Sequence, residues 1–226
     1  MRTYLDPTAP IASDAIVVDD PKLAMDLAIA ICESPRMSNL AHGLWGYHGT
    51  TREGAELTVQ SLGIGGPSAA AVVADLAGLG VARAVRIGSC ISLEPALEPG
   101  SSLIASSFVP ADGAGRILSG GRNLEPDEAL TAAVAQATEA GARGPVRSAD
   151  ILGYQAETDG AIALDLSSAA FAGACSQAGI ACAAALAVSR SAQGSGPPHE
   201  VVDEALIALG VRVAAALQAV AQASGS

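Results

Sequence analysis

The chain has 226 residues, half of them apolar but only 3 % aromatic, and its 23 acidic against 12 basic side chains give a formal net charge of −11. That length can bury one good core, and no linker-like stretch divides it, so a single domain over residues 1–226 is expected. The charge argues against a nucleic-acid partner, since a polyanion would be repelled and no basic run is long enough to track one.

The opening MRTYLDPTAP carries an acid and two prolines where a secretory signal needs an apolar core. Apolar stretches near Ala163 and Ala181 are interrupted by Asp165, Ser167, Ser189 and Arg190, so neither reads as a bilayer span. A cytoplasmic protein without membrane contact is expected. Cys32, Cys90, Cys175 and Cys182 have no metal-ligand spacing, and only His42, His48 and His199 are present to help them. Buried free thiols and no metal or other cofactor follow.

In chain order, residues 15–18 form a short apolar run closed by Asp19, Asp20 and Pro21, and KLAMDLAIAIC then has apolar residues at helical spacing. That pattern is strand, turn, helix. Residues 57–64 read as a strand, 68–79 as a helix and 81–88 as a second strand. Between the first two lie Gly63, Gly65 and Gly66, where no Cβ blocks close approach and backbone N–H groups can face an anion. Pro67 suits the start of the helix, because its fixed φ is already helical.

A strand over 102–108 precedes a polar, glycine-rich excursion at 111–122, read as loop. Residues 126–140 read as helix, 146–152 as extended, and 161–165 as a buried strand running into a helix at 166–178. The last strand is 180–189. Beyond the breaker at 194–198, residues 199–222 form a long helix with Val201, Val202, Ala205, Leu206, Leu209 and Val213 on one apolar side.

Strands alternating with helices imply an α/β fold, three layers (α/β/α) around a central mixed, largely parallel sheet, with binding groups at the strands' carboxyl ends. Arg86, Ser89, Asp165 and Arg190 all fall at such ends. Arg86 and Ser89 supply a charged fork and a hydroxyl, donors suited to a phosphate.

GIGGPSAA followed by VRIGSC resembles the nucleoside phosphorylase family, which includes uridine phosphorylase and the hexameric bacterial purine nucleoside phosphorylases. Further segments are similar in order and spacing: IVVDDPKLA at a first phosphate loop, GLWGYHGT at a second, ALDLSSAAF at the ribose-binding strand and helix, LAVSR at the base-contacting strand. The resemblance implies a phosphorylase/hydrolase-like fold and a homo-oligomer, dimer or trimer of dimers. It also implies a nucleoside and inorganic phosphate as ligands, and phosphorolysis of the N-glycosidic bond to free base and ribose 1-phosphate. Phosphate would then be a co-substrate, bound by Arg86, Ser89, His42 and Gly65. Nucleoside contacts would come from Asp165, Leu166, Ser167, Leu152 and Tyr154, and Arg190 would act on the base.

Arg86 and Ser89 match the family pattern, and the chain departs from it in the other segments. Leu23 stands where a phosphate-binding arginine belongs and Asp19 where the loop has glycine. His42 replaces a second arginine, commonly lent across a subunit interface. Ser167 replaces the glutamate that accepts both ribose hydroxyl protons, and reads either as a helix N-cap or as a ligand contact. Arg190 stands where purine-specific members place an aspartate. An arginine does not release its proton, so it cannot protonate a departing purine, but it can hydrogen-bond a carbonyl oxygen as charge develops, and uridine-specific members are similar in having an arginine here. Two readings follow. One is a pyrimidine-leaning, uridine-like pentosyltransferase. The other is a repurposed member that binds a ligand or completes a partner's site. Hydrolysis of the same bond lacks an obvious carboxylate base beyond Asp165.

Overall fold

The computed structural model describes residues 4–139, 141–152, 158–192, 194 and 196–224. Its first strand, β1 (Asp14–Val18), is buried along its whole length, as a strand covered on both faces must be. Ile16 and Val18 pack to one side of the sheet, Ala15 and Val17 to the other. It runs parallel to β4 (Glu56–Ser61) and to β5 (Arg83–Ser92), between which it lies. Arg83 donates two bonds to Asp14, of 2.6 and 2.9 Å, and these residues face each other in the β1–β5 register.

The turn after β1 feeds α1 (Pro21–Ile31), whose first free amides are met by the Asp20 side chain, which accepts from the Leu23 N–H at 3.0 Å. Two strands then follow that the apolar pattern does not announce. β2 (Cys32–Asn39) and β3 (Gly46–Thr51) form an antiparallel ribbon on β4, joined through a 3-10 turn at Ala41–Gly43. Half of β2 is exposed, so it lacks the apolar run that marks a buried strand.

The remaining strands are β6 (Ser102–Pro110), β7 (Ala142–Ser148), β8 (Ala163–Asp165) and β9 (Ala181–Ser191). The sheet is nine-stranded in the order β2-β3-β4-β1-β5-β8-β7-β6-β9, and β9 also pairs with β5. The strands from β5 onward therefore close into a circuit, with β5–β8 and β6–β9 antiparallel and the other pairs in it parallel. The sheet is mixed, as expected, but partly closed on itself rather than open.

Helices cover both faces, giving the expected three layers. α2 (Gly66–Gly78), α3 (Gly113–Ser119) and α5 (Ser168–Ala178) lie on the side of Ala15 and Val17. α1, α4 (Glu128–Thr138) and α6 (His199–Ser224) lie on the other. α3 falls inside the stretch expected to be loop. Its glycines lower helix propensity, but Asp112 accepts from the Gly115 N–H at 2.7 Å and Gly120, at φ 64°, ends it in the left-handed conformation.

By length and composition α6 is apolar enough to cross a membrane. Its Val202, Leu206, Leu209, Val213 and Leu217 are instead buried against the sheet, α1 and α4, which accounts for the apolarity as core. At the α1–α6 seam Gly210 lets the helices approach so closely that a Cβ there would lie 2.2 Å from a Leu27 methyl. Leu27 is wholly buried. Leu27→Ala is expected to lower the unfolding free energy by about 2–5 kcal/mol, read by urea denaturation as a lower midpoint at unchanged slope.

Candidate functional site

Arg86 points to the α5 side of β5, and its guanidinium folds back over Gly88, where a Cβ would lie 2.7 Å from Nη1. Only glycine leaves that space. The side chain is 1 % exposed, and a charge so placed needs partners. Its Nη2 donates to Asp19 Oδ2 at 2.7 Å and to Ser167 Oγ at 2.8 Å. Its Nη1 donates to Ser168 Oγ at 3.0 Å and lies 3.0 Å from Asp165 Oδ2. Among the described residues the Nε–H has no partner.

These partners come from three places. Asp19 directly follows β1, Asp165 ends β8, and Ser167 and Ser168 open α5. Asp165 organises the corner: it accepts from Ser148 Oγ at 2.6 Å, from the Ser167 N–H at 3.3 Å and from the Ser168 N–H at 3.2 Å. It thereby does the capping expected of Ser167. Ser167 occupies the N-cap position without a side-chain capping bond, because its hydroxyl is donated to Asp19 Oδ1 at 3.0 Å while it accepts from Arg86.

Burial works against the charge on Arg86, but the carboxylates of Asp19 and Asp165 outweigh it and raise its pKa. Burial pushes the Asp19 carboxyl up from its ordinary value, with Arg86 opposing and Asp165 adding to the rise. The neighbouring Cys90 thiol is pushed up to about 12, by burial first and by Asp165 second, against the pull of Arg86. It stays protonated at neutral pH and offers no nucleophile.

Two cavities open beside this cluster. The larger, of about 760 Å³, lies between the start of α1, the ends of β5 and β9, and the start of α6; Leu23, Pro197, Val202 and Leu206 supply its apolar wall. The smaller, of about 100 Å³, reaches Arg86, Asp165, Leu166 and Leu152. Asp19, Ser89, Ser189 and Arg190 line both. Arg190 is exposed and, among the described residues, makes no ion pair. Ser189 donates to the Cys90 carbonyl at 2.9 Å, which ties β9 to β5 beside it.

Arg86, Ser89, Asp165, Leu166, Leu152 and Arg190 are thus brought together as expected from the sequence, with Ser167 one layer behind. Two expected residues are not. Gly65, at φ 86°, is the N-cap of α2 and lines neither cavity. The glycine bend instead serves helix packing, since a Cβ on Gly66 would meet Asp112, Ala170 and Ala114. His42 sits exposed in the 3-10 turn beyond β2, its ring 5.7 Å edge-on to Tyr4. Tyr154 lies outside the described residues. Lys22 does not compensate for Leu23, because its ammonium is bonded to Asp26 at 2.6 Å.

Sequence reasoning missed Ser148 and Ser168, and saw Asp19 only as a possible anion in the loop. Ser148 ends β7, whereas the expected strand ran on to 152, so the strand-end criterion that selected Asp165 did not reach it. Among the described residues no group of three His, Cys, Asp or Glu side chains could hold a metal ion.

Residues 14–222 match the family model described as the Phosphorylase superfamily. The chain belongs to the phosphorylase superfamily. It is 38 % identical over 61 residues to a uridine phosphorylase of Thermococcus kodakarensis, covering 27 % of this chain and 22 % of that protein. It is 30 % identical over 117 residues to a DeoD-type purine nucleoside phosphorylase of Caldanaerobacter subterraneus subsp. tengcongensis, covering 51 % and 50 %. A uridine phosphorylase of Salmonella typhimurium is 33 % identical over 100 residues, covering 44 % and 39 %. The matched stretches thus span half or less of the length of these curated relatives. A purine nucleoside phosphorylase from Toxoplasma gondii in complex with immucillin-H superposes with a TM-score of 0.81 over 92 % of both chains at 23 % identity, a likeness of fold.

Within this superfamily fold the two carboxylates on Arg86 are not equivalent. The Asp165 side chain is 1 % exposed and that of Asp19 30 %. Asp165→Ala is expected to cost about 3–5 kcal/mol of stability, because it strips a buried charge and a helix start of their acceptor at once. Asp19→Ala should cost less, about 1–3 kcal/mol. Urea denaturation of both variants checks the order.

Proposed function

We propose that the two cavities form one binding site for a pyrimidine-type nucleoside, and that the chain binds this ligand without efficient phosphorolysis. The observation that carries the reading is Arg190: an exposed guanidinium with no ion pair among the described residues, on the wall common to both cavities. A planar fork of donors that keeps its proton suits a base carbonyl oxygen, and does not suit protonation of a purine nitrogen. Leu166, half-buried beside Asp165, offers an apolar face to the sugar, with Leu152 across the smaller cavity.

Phosphorolysis to free base and ribose 1-phosphate is the second reading, and the uridine phosphorylases among the relatives favour it. Against it, the buried cation that an attacking phosphate would need is already enclosed by two carboxylates. A cytoplasmic homo-oligomer belongs to the same proposal: His42 stands exposed at the outer ribbon, where it can be contributed to a second copy.

Calorimetric titration with uridine and inosine tests the reading. Uridine should bind more tightly than inosine, and Arg190→Ala should weaken uridine by about 10- to 100-fold, the loss of a hydrogen bond from a charged donor. Equal binding of uridine by the variant and the unaltered chain, or no binding of either nucleoside, would overturn it. Phosphate-dependent release of uracil at many turnovers per minute would establish the second reading instead.

A further inference from the structure

We propose that Asp19 is the specificity-determining residue that closes the Arg86 oxyanion receptor to inorganic phosphate by occupying it with its own carboxylate. The inference rests on the reading of these cavities as the ligand site, and adds which co-ligand that site refuses.

A guanidinium fork beside two serine hydroxyls is a receptor for a planar or tetrahedral oxyanion. Here that receptor is assembled and buried. Its Nη2 is taken by Asp19 Oδ2 at 2.7 Å, and Ser167 donates its hydroxyl to Asp19 Oδ1 at 3.0 Å. One carboxylate thus engages the cation and a hydroxyl together, as a bound oxyanion would. The other acid, Asp165, holds Nη1 from the closed side, tied down by Ser148, Ser168 and the first amides of α5. Asp19 has no such anchoring. Among the described residues its side chain is bonded to Arg86 and Ser167 alone, it is 30 % exposed, and the residue lines both cavities.

The charges lead the same way. One guanidinium stands against two carboxylates, so the cluster is net anionic and repels a phosphate dianion. The nearby Lys22 ammonium is held by Asp26 and does not offset this. Removing the Asp19 carboxylate leaves Arg86 balanced one to one by Asp165 and exposes Nη2 and the Ser167 hydroxyl to the cavity.

The test titrates inorganic phosphate, with chloride at equal ionic strength as control, into the full unaltered chain and into Asp19→Gly and Asp19→Asn, each checked by near-UV circular dichroism and thermal melting. The unaltered chain should give no saturable phosphate binding up to about 10 mM. Asp19→Gly should bind phosphate at least tenfold more tightly, and lose the gain when Ser167→Ala is added. Asp19→Asn keeps the bulk without the charge and should gain part of the effect; it serves as the second variant if the glycine chain fails to fold. Submillimolar phosphate binding by the unaltered chain, or folded variants with no gain, would overturn the inference. Uridine titrated into the same samples separates the two proposals: phosphate gained without any uridine binding leaves this inference standing and removes the nucleoside reading, while uridine binding without a phosphate gain does the reverse.

Discussion

The buried guanidinium of Arg86 constrains everything around it. A fully desolvated cation is tolerated only where charge and hydrogen bonds replace water, and β5 alone supplies neither. The requirement draws in the end of β1 through Asp19, the end of β8 through Asp165 and the start of α5 through two serines. It also fixes a glycine two residues along β5, since any Cβ at position 88 would stand in the guanidinium's place. The site is therefore where the open part of the sheet meets the closed circuit of β5 to β9, and the ion cluster is the joint between them.

That joint explains why two cavities meet there. Strands that end together leave a depression at their carboxyl ends, and the start of α6 roofs one side of it with Pro197, Val202 and Leu206. The wall between the cavities is made of short or terminal residues, Ser89, Ser189 and Asp19, with Arg190 as the one long side chain spanning it. Of the cations near the site, Arg86 has its charge met by Asp19 and Asp165 and Lys22 is paired with Asp26, so electrostatic attraction into the depression rests on Arg190.

Much of this was legible in the residues, and what was not has identifiable causes. Buried strands such as β1 and β9 are unbroken apolar runs, and α2, α5 and α6 carry their own start and stop signals, so the α/β/α layering followed from pattern. β2 was missed because a half-exposed edge strand lacks that run, β3 because its buried residues are Gly, Tyr, His and Thr rather than aliphatic, and α3 because its glycines outweighed, on paper, the Asp112 cap that holds it. At the site, position along a strand correctly gathered Arg86, Ser89, Asp165 and Arg190. Side-chain direction was not legible: nothing in the order of residues says that Asp19 turns inward onto Arg86, or that Gly66 is spent on helix packing against Ala170.

The departures at positions 19 and 167, read separately as two losses, are physically one change. Ser167 accepts from Arg86 Nη2 and donates to Asp19 Oδ1, so its hydroxyl sits between the cation and the added acid. A glutamate at 167 would bring a third carboxylate to a single guanidinium already shared by Asp19 and Asp165, and three like charges around one buried cation would force one of them to take up a proton. A serine at 167 removes that repulsion and donates a hydrogen bond to Asp19. Conversely, a glycine at 19 would leave the Ser167 hydroxyl without its acceptor and Arg86 Nη2 without its charge partner, open to whatever oxyanion the cavity admits. Each residue is the condition for the other, and the pair converts an anion receptor into an internal ion cluster while leaving Arg190 and the cavity walls in place.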